Sequence, residues 1–247
     1  MLITTQLILC LAGGISILGL SAVDFWEEQN ADALFLTMWI MGTFFFAAFV
    51  NWTINVRSVL PLIPAVGILL ARRFDRVAVA SSRSMIAKIA CALLLCGWVS
   101  IWLARADAKL ANSARDAASL IQEKTRGQGG NLWFTGHWGF QYYMELSGAR
   151  PVDWDHPALQ PGDFVVVPFN NANMRVVNPE YVASQQVVDV PLHSWASTIS
   201  PALGAGFYSS YWGPLPFAFG PVAPEHYWIE QIAPSIASAI QVPNSYN

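Results

Sequence analysis

LILCLAGGISILGLSAV, residues 7–23, and ALFLTMWIMGTFFFAAFV, residues 33–50, decide the fold: neither run carries a charge. A helix needs about 20 mostly apolar residues to cross a hydrocarbon core about 30 Å thick. With a few flanking residues, each run reaches that length. Working outward, Ile89–Ala104 is a third uncharged stretch, preceded by Lys88, whose stem lets its charge reach the headgroups. Between them, residues 54–71 hold only Arg57, with kinks expected at Pro61 and Pro64. The pattern predicts four membrane helices, over residues 7–23, 33–50, 54–71 and 85–104.

The whole-chain composition agrees. Of 247 residues, 54% are hydrophobic and only 12% charged, with a mean hydropathy of +0.40. A soluble domain carries about 25% charged residues, so an ordinary soluble enzyme and a disordered chain are both excluded. A net charge of −3 excludes nucleic-acid binding driven by bulk charge. Residues 1–23 contain no Lys or Arg, so they lack the basic start of a cleaved signal peptide and read as a retained span.

Orientation follows from basic residues in short loops. Arg72, Arg73, Arg76, Arg83 and Lys88 face Asp75 alone between the third and fourth spans, which places that loop in the cytoplasm. Asp24–Asp32 then lies inside, Asn51–Arg57 outside, and residues 105–247 form an extracytoplasmic domain. The fold class is therefore a membrane α-helical region, residues 1–104, followed by a small extracytoplasmic α/β domain.

Within that domain, Arg105–Arg126 places Leu110, Ala114, Ala117, Ala118 and Ile121 on one helical face, and Gly127, Gly129 and Gly130 end it. Strands are expected over 132–135, 151–154, 164–167, 181–190 and 227–229, with a helix over 138–146. The strand–helix–strand order predicts a partly parallel sheet. Beyond Pro191 the chain is rich in Gly, Pro and aromatic residues, and it wraps either the domain or the membrane surface.

Recognisable catalytic motifs are absent from the sequence. Cys10, Cys91 and Cys96 all fall in spans and read as small buried hydrophobes. His137, His156, His193 and His226 have no metal-ligand spacing, so no metal site is expected. There is no serine elbow, P-loop or dinucleotide fingerprint. Asn51-Trp52-Thr53 matches a glycosylation sequon, and its place against the membrane makes it a chance match. Arg57 is the most informative charge. A guanidinium at a membrane mouth anchors the interface, or it grips an anionic headgroup through paired donors. Asn51 and Asn55 stand beside it as further donors. Among the aromatic clusters, His137, Trp138, Tyr142 and Trp212 are candidates for sugar or acceptor contact, with core packing as the competing role.

The stretch NWTINVRSVLPLIPAVGILLARR, Asn51–Arg73, contains Arg57, Leu60, Pro61 and Pro64 in an R-x-x-L-P-x-x-P-like arrangement. Together with GHWGFQYYMELSGARPVD, QPGDFVVVP and GAGFYSSYWGPLPFAFG, it resembles the C-terminal region of bacterial family 39 membrane glycosyltransferases. These are relatives of the dolichyl-phosphate-mannose protein mannosyltransferases. The resemblance implies an inner-membrane, multi-pass protein whose donor is a polyprenyl-phosphate-linked sugar, without a cofactor. It also implies Arg57 at the lipid phosphate. The family's acidic base lies in a first outer loop that has no counterpart here, and the family has about a dozen spans. The expectation is therefore a C-terminal part that is not catalytically complete alone and whose partner is the N-terminal half. The alternative is a non-catalytic, membrane-anchored binding or assembly module.

Overall fold

The computed structural model describes residues 2–52, 55–78, 83–172 and 174–236. Thr53 of the sequon, and residue 54 at the start of the expected third span, lie outside the described residues. The chain forms two compact units: a helical unit of Met1–Asp107 with Ser194–Val222, and a sheet unit of Ala108–His193 with Ala223–Asn247.

Three helices in the described residues are long and apolar enough to cross a membrane: Leu2–Glu28, Ala31–Val50 and Ile86–Thr125. The first is α1. It turns at Gln29, whose φ is +48°, into α2, Ala31–Phe45. Asn30 caps α2 by accepting from the Ala33 N–H at 2.9 Å. A π-turn, Phe46–Val50, closes this helix, with the Asn51 N–H donating to Phe46 O at 2.8 Å.

The expected span over 54–71 takes another form. Val56–Leu62 is a 3-10 helix, followed by α3, Ile63–Ala78. Pro61 and Pro64 cannot donate to the preceding turn, which tightens the chain there. The Trp39 indole N–H donates to the Pro61 carbonyl at 3.0 Å. Leu36 and Ile40 of α2 pack on Ala65 and Leu69 of α3, with Ile17, Leu18 and Leu20 of α1 against them.

The lower ends of α1 and α3 are joined by charge. Asp24 is fully buried; Arg76 Nη2 lies 2.8 Å from its Oδ1, and Arg72 Nη1 lies 3.7 Å from its Oδ2. Glu27 pairs with Arg73 and Arg76, and Glu28 with Arg76. The acidic turn and the basic end of α3, both assigned from sequence to one side of the membrane, therefore meet.

At the opposite end, Ser194–Val222 gathers three helix segments. Gln6 of α1 accepts from the Phe219 N–H at 2.8 Å, the Val56 N–H donates to Phe207 O at 3.1 Å, and Trp102 packs on the Phe219 ring. This stretch pairs short strands, Ala196–Ser197 (β5) with Ala218–Phe219 (β8), and Ile199–Ser200 (β6) with Ala205–Gly206 (β7). At Gly213 a Cβ would fall 2.1 Å from the Gly204 backbone, so only glycine allows this approach. The domain expected over residues 105–247 is thus not one continuous piece, because these residues belong to the helical unit.

Helix α4, Arg83–Thr125, is unbroken, and the division between units falls on it after Asp107. The three cysteines are exposed rather than buried, on apolar helices whose outer faces also show Leu9, Leu11, Leu94 and Leu95. Such faces suit contact with lipid.

In the sheet unit the strand order is β2-β1-β3-β9-β4, from β1 Leu132–Phe134, β2 Arg150–Pro151, β3 Phe164–Pro168, β4 Val182–Val190 and β9 Glu225–Ile232. β1 is parallel to both β2 and β3, and β9 is antiparallel to its neighbours β3 and β4. One face packs on Ala117, Ala118 and Ile121 of α4 and on Phe140 and Met144 of α5, Trp138–Leu146. The other face is covered by Leu159, Val177 and Ile236.

Removing Arg76 leaves the Asp24 carboxylate with only the longer Arg72 contact. Arg76→Ala is expected to cost about 3 kcal/mol, the low end for a broken buried pair. Unfolding in detergent micelles, followed by tryptophan fluorescence, measures this. Asp24→Asn added to Arg76→Ala should recover part of the loss.

Candidate functional site

Arg57 opens the 3-10 helix at the end of the helical unit where Ser194–Val222 folds. Its position is set locally by three side chains. Asn55 caps the turn, accepting from the Ser58 N–H and from Ser58 Oγ, both at 3.0 Å. The Asn51 amide donates to Ser58 Oγ. The sequence placed Asn51, Asn55 and Arg57 together, and the structure does too. The two amides build the turn that presents the arginine.

The guanidinium of Arg57 is exposed at the surface of the unit. Its carbon sits 5.5 Å from the centroid of the Tyr208 ring, and Nη2 donates to Tyr208 O at 3.4 Å. No carboxylate among the described residues forms an ion pair with it. Most of its five N–H donors therefore remain for something else. Tyr208 is itself fixed: its hydroxyl donates to Asp107 Oδ2 at 3.0 Å, and Thr198 Oγ1 donates to Asp107 Oδ1. Burial, followed by the Asp107 charge, pushes the Tyr208 phenol above its ordinary range, so it stays a donor.

Thr198 and Asp107 escaped the sequence reading. Asp107 looks like one more charge on an amphipathic helix, and Tyr208 like one more ring in an aromatic run. Only a contact spanning a hundred residues joins them.

The remaining candidates divide between the units. His137, Trp138 and Tyr142 lie in the sheet unit, where the chain leaves β1 and enters α5. His137 Nδ1 lies 3.2 Å from Gln141 Oε1, and the rings of Trp138 and Tyr142 are exposed. Trp212 belongs to the helical unit and is 5% exposed. Its ring sits edge-on to that of Tyr211.

The sheet unit holds three buried carboxyls, Asp163, Glu225 and Glu230. Glu225 accepts from the Asn170 amide at 3.1 Å, and Glu230 accepts from the Gln185 amide at 3.0 Å and the Val177 N–H at 3.2 Å. Burial raises both above the ordinary glutamate value of 4.5, against the opposing pull of these hydrogen bonds.

No family model, curated protein or solved structure matches this chain.

Two measurements follow. Tyr208→Phe keeps the ring under Arg57 but strips one donor from Asp107, so it should destabilise by about 1–2 kcal/mol in a detergent-melt assay. A raised carboxyl pKa means that the folded state holds its proton more tightly than the unfolded chain. The stability from Glu225 and Glu230 is full below the unfolded value and is lost as pH rises through their folded values. Glu225→Gln should flatten that fall in a series of melts taken upward from acid pH.

Proposed function

We propose that this chain is the membrane-embedded C-terminal part of a glycosyltransferase whose sugar donor is carried on a polyprenyl phosphate, with Arg57 at the lipid phosphate. The single observation that carries this reading is an exposed guanidinium at the mouth of apolar helices. It is fixed over Tyr208, pairs with no described carboxylate and keeps donors to spare. A planar guanidinium binds phosphate bidentately and stays charged at low dielectric.

In this reading the 3-10 segment and α3 make a fourth crossing. The Arg57 end and the sheet unit face the extracytoplasmic side of a bacterial inner membrane, and the Asp24–Arg76 end faces the cytoplasm. The meeting of the acidic turn with the basic end of α3 supports one shared side for those two segments. Sugar transfer needs a general base to activate the acceptor while the lipid phosphate leaves. Arg57 stabilises the charge that develops on that phosphate. Asp107 has both oxygens engaged by Tyr208 and Thr198 and stays a structural partner, and in this reading the base is supplied by the N-terminal half of a longer enzyme.

That engagement of Asp107 also favours a second reading, a membrane-anchored binding module without catalysis. Both readings share the lipid-phosphate site and part at turnover.

The test is binding of a polyprenyl phosphate to the chain in nanodiscs, by native mass spectrometry. Arg57→Ala should weaken binding by about tenfold or more, the worth of a charge-assisted contact, and Arg57→Lys by less. Unchanged binding in Arg57→Ala would falsify the assignment. A reporter fused after Asn247 tests the topology, and activity in the cytoplasm would reverse it.

A further inference from the structure

Two side chains of the sheet unit hold a buried oxygen without a hydrogen-bond partner, Thr135 Oγ1 and Asn170 Oδ1. Unpaired polar atoms of this kind are rare and costly. Both stand at the same edge of the sheet. Thr135 is the first residue past β1, and Asn170 is the second past β3, the strand that runs parallel beside it.

The topology gives that edge a meaning. β2 lies on one side of β1 and β3 on the other. The chain leaving β1 enters α5, whose Phe140 and Met144 pack on the same face as Phe134 and Val166. The chain leaving β3 carries Met174 and Val177 to the opposite face, against Val165 and Val167. The two connections therefore part between β1 and β3, at the carboxyl ends of parallel strands. Open α/β sheets bind their ligands in the crevice made this way.

The loops that follow β1 and β3 are tied to each other under strain. The His137 N–H donates to Asn171 Oδ1 at 2.8 Å, and Asn171 Nδ2 donates back to His137 O at 3.2 Å. Gly136 has φ +92°, and a Cβ there would lie 2.8 Å from the Pro168 ring. Trp138 adopts φ +61°, a conformation unfavourable for so bulky a residue. Its ring stands 56% exposed, and that of Phe169 44%. Strained residues persist where the surroundings over-determine them, and they gather at ligand sites.

The chemistry of the edge selects the ligand. Glu225 lies beside Asn170. No Lys or Arg occurs in residues 132–146, 164–172 or 223–228, so these segments carry no permanently charged cation to balance an anionic ligand; Arg175, farther along the chain leaving β3, is exposed. What they offer is an amide oxygen, a hydroxyl and flat rings. We infer that the crevice between the carboxyl ends of β1 and β3 binds a neutral saccharide, with Thr135 Oγ1 and Asn170 Oδ1 hydrogen-bonding its hydroxyls and the Trp138 ring against its C–H face. This site is separate from the lipid-phosphate reading and does not rest on Arg57.

The experiment is saturation-transfer difference NMR on the full chain in nanodiscs. The probes are D-glucose, D-mannose, D-galactose and maltose at millimolar concentration, with inorganic phosphate as competitor, followed by melting curves. At least one sugar should bind. Thr135→Val should weaken it by about tenfold while the Tm stays equal or rises, because an unpaired buried hydroxyl has been replaced by a methyl group of similar shape. Trp138→Gly, which suits the backbone at that position, should lose binding without losing stability. Arg57→Ala should bind the sugar as the natural chain does, whatever it does to lipid phosphate. The inference is overturned if no sugar binds, if phosphate displaces the sugar, if both variants bind undiminished, or if Thr135→Val lowers the Tm.

Discussion

The helical unit depends on one buried carboxylate. Asp24 has no exposure and draws its compensation from Arg72 and Arg76, both on α3. An isolated charge out of water is costly, so this end of α3 is held against α1. Its other end meets the 3-10 turn, where Trp39 satisfies the carbonyl of Pro61. α2 fits between, with Thr37 and Ser21 sharing hydrogen bonds across α1 and α2. A charge at one end and a tight turn at the other hold three short-looped helices in register. That same turn presents Arg57.

Much of this architecture is legible in the sequence wherever local chemistry decides the outcome. The limits of α5, 138–146, follow from Gly136 before it and Gly148 after it, each with a positive φ. The strand at 164–168 is announced by Pro161-Gly162-Asp163 and a run of valines. The helical face of Ala117, Ala118 and Ile121 is given by spacing and is buried as spacing requires. The rest depends on distant partners. The 3-10 start of the third segment exists because Pro61 and Pro64 lie together and Trp39 is there to answer them. The residues 194–222 form two-residue strands that no periodicity could reveal, and their glycines read as loop markers rather than as sites of backbone contact. Arg57 could be singled out as a lone charge. The tyrosine beneath it and the aspartate beneath that could not.

The two candidate sites differ in kind. Around Arg57 the structure supplies an uncompensated cation on a ring, a device for holding charge. At the edge of β1 and β3 it supplies unpaired neutral oxygens and exposed rings, with no Lys or Arg in residues 132–146, 164–172 or 223–228. Thr135 and Asn170 are common residue types, and nothing in their sequence neighbourhood marks them. Their significance comes from the strand order, which brings two loops together and sends them to opposite faces.

The helical unit is also interrupted in sequence, and this has a consequence for synthesis. Gln6, which clasps Phe219, is separated from it by 213 residues. At about 5–20 residues per second, the ribosome takes roughly 10 to 40 s to supply that partner. Through this interval α1 has its apolar face and its Asp24–Arg76 pairing within reach, but not the strand that covers its first turns. The whole sheet unit up to His193 is made in the meantime. The helical unit is thus begun before the sheet unit and finished late, closing over α1 only after most of the sheet unit has emerged.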